Sequence, residues 1–165
     1  LVGQGDRQQM TNPAFRAELA RWIRPAKTNS HDGIPCFTQH IPRILDFATP
    51  VMARLVRTFD MGSLTAAQDG ELANASAMLA VLSTPNDGPA DWLAAGIALE
   101  HVMLVARAAG VWASFLNQPI EVPELRLTLR ELMGCPGYPQ ILLRMGYGHE
   151  SQPTPRRSID EVLSD

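Results

Sequence analysis

Cysteine is scarce in this chain. Cys36 and Cys135 are the only two in 165 residues. That is too few for a disulfide framework, and they read as reduced thiols of a cytoplasmic protein, with one long-range disulfide as the alternative. Charge is sparse as well. Charged residues make up 19% and the net charge is −3. No overall field would draw nucleic acid, so any anion site has to be local. A secretory leader is missing: Leu1-Val2-Gly3-Gln4-Gly5-Asp6-Arg7 has neither a basic start nor an apolar core. There is no initiator Met, which fits an expectation that the chain is a piece of a longer protein. The longest apolar stretch, Trp92 to Val111, contains Glu100, His101 and Arg107 and is rich in alanine, which argues against a membrane span.

The chemistry-bearing motifs are missing too. His31, His40, His101 and His149 are scattered, with no His-Glu-x-x-His and no Cys-x-x-Cys, so no metal site is expected. There is no Gly-x-Ser-x-Gly elbow, no Gly-x-Gly-x-x-Gly and no P-loop. Cys36 has no fixed cation beside it in sequence to make it reactive. Glu121 and Glu124 flank Pro123 at a helix start, where carboxylates meet the helix dipole, and that reading is preferred to a catalytic one.

What is present is a globular composition, 45% apolar, in a chain long enough for one domain with a real core. Asn12-Pro13 caps a helix carrying Phe15, Leu19, Trp22 and Ile23 on one face, and Pro25 stops it. Lys27 to Gln39 reads as a surface loop. Two short helices, Pro42 to Ala48 and Pro50 to Phe59, follow, and Asp60 to Asn74 is ambiguous between loop and helix. Residues 1–11 are expected to be flexible. Ala77 to Ser83 reads as a short buried strand. A helix then starts near Asp87 and Pro89 and closes on Gly110, apolar nearly all round, which predicts a helix buried in the middle of a domain. Val111 to Leu116 and Gln140 to Met145 are further strands. Between them Pro123 opens a helix with Leu125, Leu129 and Leu132 as its buried stripe and Gly134 as its stop. The result is one α+β layered domain with at least three strands, ending in an extended tail over 149–165.

Two features point to a ligand. A strand over Val111–Leu116 ends in Asn117 and Gln118 before Pro119, and such strand ends in layered domains hold ligands whose polar ring edges amides can meet. A turn in which the amides satisfy local backbone is the plainer alternative. At the other end Thr154-Pro155-Arg156-Arg157-Ser158 sets two guanidinium forks after a proline, a pattern suited to phosphate. A solvated pair beside a final amphipathic turn of Ile159, Val162 and Leu163 fits equally.

Several segments together resemble the nitroreductase superfamily. They are Asp91-Trp92-Leu93-Ala94-Ala95-Gly96 with the helix to Gly110, Phe115-Leu116-Asn117-Gln118-Pro119-Ile120-Glu121-Val122-Pro123-Glu124-Leu125-Arg126, Gly137 to Gly148, and Pro153 to Arg157. The likeness is to the Acg-type branch, in which two nitroreductase-like halves are fused and bind FMN. It runs from about Trp22 to the C-terminus. The resemblance implies a layered fold with a long buried central helix. It implies FMN held between two similar halves, or in a homodimer. Phe115, Leu116, Asn117 and Gln118 would run along the isoalloxazine ring, and Arg156 or Arg157 would meet the phosphate. It implies NAD(P)H as electron donor and nitroaromatic or quinone-like acceptors, with the flavin carrying the reaction. A flavin-sequestering protein without turnover, whose ring is lidded by a loop such as Lys27–Gln39, and a half serving only as a packing partner are the alternatives. The family's N-terminal basic motif and an Asn-containing segment that reaches the ring are absent, as expected of a C-terminal half.

Overall fold

A computed structural model describes residues 1–25, 30–35, 49–150 and 153–163. The expected helix over 42–48, Cys36 and His40 lie outside these residues, as does most of the 27–39 loop. The described chain forms two compact units, one of Leu1–Thr11 with Met61–His149, the other of Asn12–Asp60 with Glu150–Asp165.

The first unit is a small sheet with helices. Its strands are β3 (Met78–Thr84), β4 (Trp112–Phe115) and β5 (Tyr138–Gly146), numbered after two short strands of the other unit. The order is β3-β5-β4 and both pairings are antiparallel. Val81 faces Leu142 on one side of β5, and Phe115 faces Leu143 on the other, with a register shift at Leu82/Ser83. β5 is central because it carries the apolar residues that both neighbours cover. Leu142, Leu143 and Met145 are all buried.

Residues 1–11, expected to be flexible, are helical from Val2 in this structure. They form helix α1 (Val2–Thr11), with Val2 and Met10 buried. Val2 joins Leu116, Leu129 and Leu142 in the core cluster, the kind of burial that stabilises by about 1.5–3 kcal/mol per large apolar side chain. The ambiguous 60–74 segment is helix α4 (Gly62–Asn74). A second helix of this unit, α5 (Pro89–Ala108), runs to Gly110, whose φ of +75° is the left-handed geometry that closes a helix. A short helix α6 (Gln118–Glu121) follows β4 at the place read as a turn, and α7 (Pro123–Leu132) ends before Gly134, φ +60°.

Three burial expectations are corrected. α5 is mostly exposed. Only Ala95 is buried, while Leu93, Ile97 and Leu104 are each more than 60% exposed. Its partly covered residues, Asp91, Leu99, Val102, Met103 and Ala106, fall with Ala95 on one stripe that meets the sheet. Among the described residues that stripe has a cover and the opposite one has none. Among the described residues α5 is also the one helix long and apolar enough, by length and composition, to cross a membrane. β3 is half open rather than buried, with Met78 and Leu79 exposed at its start, on an edge strand of the three-stranded sheet. Leu132, expected in the α7 stripe, is exposed at the last residue of the helix, while Leu129 is buried.

The second unit holds α2 (Pro13–Trp22), capped as expected by Asn12, whose Oδ1 accepts from the Ala14 amide at 2.9 Å. Ile23–Arg24 (β1) pairs in parallel with Ile34–Pro35 (β2). Helix α3 (Thr49–Thr58) packs on α2. The tail is extended from Pro153 and ends in a single turn, α8 (Ile159–Val162).

Candidate functional site

The strand-end segment is built by the sheet. The Leu116 amide donates to the Leu142 carbonyl at 3.0 Å, and the Leu142 amide donates back to Asn117 Oδ1 at 2.9 Å. The Asn117 side chain thus extends the β4–β5 ladder by one rung. Its Nδ2 amino group makes no bond among the described residues and is left to donate elsewhere. Phe115 presents an exposed ring at the same strand end. Leu116 is turned into the core at 2% exposure. Gln118 Nε2 is drawn inward, donating to Asp6 Oδ1 at 3.0 Å and to Asp69 Oδ2 at 2.7 Å. Of the four residues, Phe115 and Asn117 therefore keep side-chain groups that can meet a planar ring. Leu116 and Gln118 hold the segment from behind.

Arg156 and Arg157 belong to the second unit. Arg157 is not free. Its Nε donates to Asp32 Oδ1 at 2.8 Å and its Nη2 to Asp32 Oδ2 at 2.6 Å, a bidentate pair with both side chains near half exposed. That hydrogen bond holds the Asp32 carboxyl below its usual range. His31 Nδ1 lies 3.3 Å from Glu161 Oε2 alongside. Arg156 folds back on its own segment, to Thr154 Oγ1 and, at 3.1 Å, to the Pro155 carbonyl. An exposed fork that already holds a carboxylate has the geometry a phosphate needs, and it can exchange one anion for the other. A phosphate would fit Arg157 by replacing Asp32.

A cleft of about 440 Å³ lies between α2 and α3, floored by Ala17, Ala20 and Ala53 and rimmed by Arg21, Arg54 and Arg57. It contains none of the residues singled out from the sequence. Among the described residues no group of three or more His, Cys, Asp or Glu could hold a metal ion.

Comparison with known proteins decides the family. Rv3131 of Mycobacterium tuberculosis, named a proposed NAD(P)H nitroreductase, is 30% identical over 168 residues, covering 99% of this chain and 46% of its own length. The protein named acg, also a proposed NAD(P)H nitroreductase of that organism, is 29% identical over 164 residues, covering 94% and 46%. A third, Rv3127, named only as uncharacterized, is 33% identical over 156 residues, covering 92% and 43%. The chain belongs to the nitroreductase superfamily. It spans about half the length of the curated relatives it matches, 46% for Rv3131. No family model matches the chain and no solved structure matches it.

Within this chain, sequence reading missed two polar clusters. One gathers at Asp87. Its carboxylate accepts from Arg126 through both Nη atoms at 2.7 and 2.9 Å, from Trp92 Nε1 at 2.8 Å and from Gln140 Nε2 at 3.1 Å. The Arg126 bonds, then those from Trp92 and Gln140, hold its carboxyl far below the usual range. Arg126 Nε also donates to the Pro139 carbonyl at 2.7 Å. The cluster ties the loop before α5 to α7 and β5. Asp87 lies just before the N-cap Gly88, whose amide donates to Asp91 Oδ2 at 3.4 Å. The second cluster is Asp6, Asp69 and Gln118, brought together across 112 and 49 residues, and nothing in local sequence announces it.

Proposed function

We propose that this chain is one half of an FMN-dependent NAD(P)H oxidoreductase of nitroreductase type that reduces nitroaromatic or quinone-like acceptors in the cytoplasm. The observation that carries the reading is the end of β4 in a nitroreductase-superfamily chain: an exposed Phe115 ring beside the unbonded Asn117 Nδ2 donors, held from behind by a buried Leu116. When bound, the flavin would supply the hydride chemistry. In the first unit Phe115 would cover a flavin ring and Asn117 would donate to its polar edge. In the second unit Arg157, released from Asp32, would take a phosphate, with Arg156 beside it. The bare stripe of α5 supports a second nitroreductase-like half as its cover.

The test is an FMN titration, first of this chain and then of the longer parent, followed by NAD(P)H consumption with a quinone. Arg156→Ala with Arg157→Ala in the parent should weaken FMN binding. Unchanged affinity would remove the phosphate role. The pairing of Arg157 with Asp32 favours a second reading, a half that serves as packing partner only. A parent that stays colourless with FMN present would decide for it. A yellow parent that never consumes NAD(P)H would instead mean flavin storage.

A further inference from the structure

Three helices converge on the Gln118 amide. Its Nε2 has two hydrogens, and each goes to a carboxylate, one from α1 and one from α4, while its own backbone begins α6. The approach is close. A Cβ placed on Gly5 would stand 2.6 Å from Gln118 Cβ and 2.9 Å from its carbonyl carbon, so glycine lets α1 lie directly on this residue. Asp6 is 6% exposed, its Oδ2 is buried with no partner, and Gln118 Oε1 is buried with no partner as well. Two carboxylates sharing a donor, Asp6 buried and Asp69 half-buried, cannot both be charged at low cost. One unsatisfied carboxylate oxygen and one unsatisfied amide oxygen are also an arrangement short by a hydrogen, and a proton on Asp6 supplies it.

We propose that Asp6 is a proton-dependent positioning residue for the segment after β4: protonated, it docks α1 on Gln118 and fixes residues 115–118; ionised, it loosens α1 and frees them. Other charges around it are few. Arg7 lies on the same helix and eases the charged form, and Asp69 faces it from α4 and opposes it. On α6, Glu121 accepts from Gln9 of α1 and so keeps a second tie. From β5, Arg144 acts on Asp69 and carries a buried Nε without a partner. Burial, with the Asp69 charge next, lifts the Asp6 carboxyl to about 6, and burial lifts Asp69 too. The switch therefore works between mildly acid and neutral solution. Its bearing on flavin rests on the reading that 115–118 lines the ring.

The chain itself serves for the test. Carboxyl NMR should show Asp6 titrating near pH 6, and Asp69→Asn should move that midpoint down. Between pH 5 and 7.5, hydrogen-exchange protection of α1 and of residues 117–121, corrected for intrinsic rates, should fall on the order of tenfold or more. In Asp6→Asn it should stay level. A wild-type midpoint near 4, or an equal loss of protection in Asp6→Asn, would overturn the proposal. FMN affinity of the longer parent at the two pH values is the second arm. Weaker binding at pH 7.5 that Asp6→Asn abolishes supports the link to the ring. A latch that titrates as expected in a protein that never binds FMN would refute the flavin reading and leave the latch.

Discussion

Two aspartates push the acid response of the first unit in opposite directions. Asp6 is raised from 3.8 to about 6, so the folded chain holds its proton more tightly than the unfolded one. Its contribution to stability is complete below about 3.8 and disappears as the pH rises through about 6. Asp87 is depressed, so its contribution is present above 3.8 and is lost as the pH falls toward its folded value. Asp6→Asn should therefore raise stability at pH 7.5 by up to about 2–3 kcal/mol and change little near pH 4, as read from urea midpoints. An equal effect at both pH values would mean that Asp6 is not the titrating group. Arg126→Lys keeps the charge at Asp87 but loses the fork and the bond to the Pro139 carbonyl. It should lower the urea midpoint at pH 7 and narrow the difference between pH 7 and pH 3, and an unchanged pH dependence would show that the pair is not what holds Asp87 ionised. In the second unit the exposed pair Arg157–Asp32 sets a competition. Asp32→Asn should tighten FMN binding a few-fold in the parent while Arg157→Ala weakens it, and if both changes moved the affinity the same way, Asp32 would not be a competitor for the arginine.

Elements were legible in the sequence wherever a local rule acts alone. Asn12-Pro13 announced the start of α2, Pro89 and Gly110 bracketed α5, and Pro123 and Gly134 bracketed α7, because caps and breakers work over three or four residues. The three strands of the first unit were legible from apolar runs of strand length. α1 was not, because its glycines and polar residues give a weak helix on propensity alone. It is held by tertiary contacts, Val2 in the core and Asp6 on Gln118, that no local window contains. α6 was hidden for a related reason. Asn117-Gln118-Pro119 has the composition of a turn, and the difference between a turn and one helical turn is made by its neighbours. At the candidate site the strand end was readable, but which amide turns in and which stays out depends on α1 and α4. The element that carries the sheet is β5. Leu143 has no exposed surface and stands opposite Phe115 and Ala80. Leu143→Ala should cost about 2–5 kcal/mol by its urea midpoint. A loss under about 1 kcal/mol would show that the strand is packed less tightly than its burial says.

On the scale of the whole molecule, an all-round apolar helix says that both its faces will be covered, and it does not say by what. In this chain the sheet covers the stripe through Ala95, and Leu93, Ile97 and Leu104 stay in solvent together with Glu100 and His101 on the same side. Side chains of that size left open in one row are a liability for a solitary domain. The chain is also about half as long as its relatives, 46% in the case of Rv3131. Under the function proposed above, the occupant of the row is a second nitroreductase-like half. Because these residues make few contacts within the chain, changing them should leave its own fold nearly untouched, within about 0.5 kcal/mol. Leu93→Glu with Ile97→Glu should therefore keep the urea midpoint and abolish association. Sedimentation of the chain alone, and of the chain mixed with the other half of the parent, gives the answer. A wild type that stays monomeric in both, yet sediments with lipid vesicles, would give the row to a membrane surface, and the charged variants would then lose the vesicles instead of the partner.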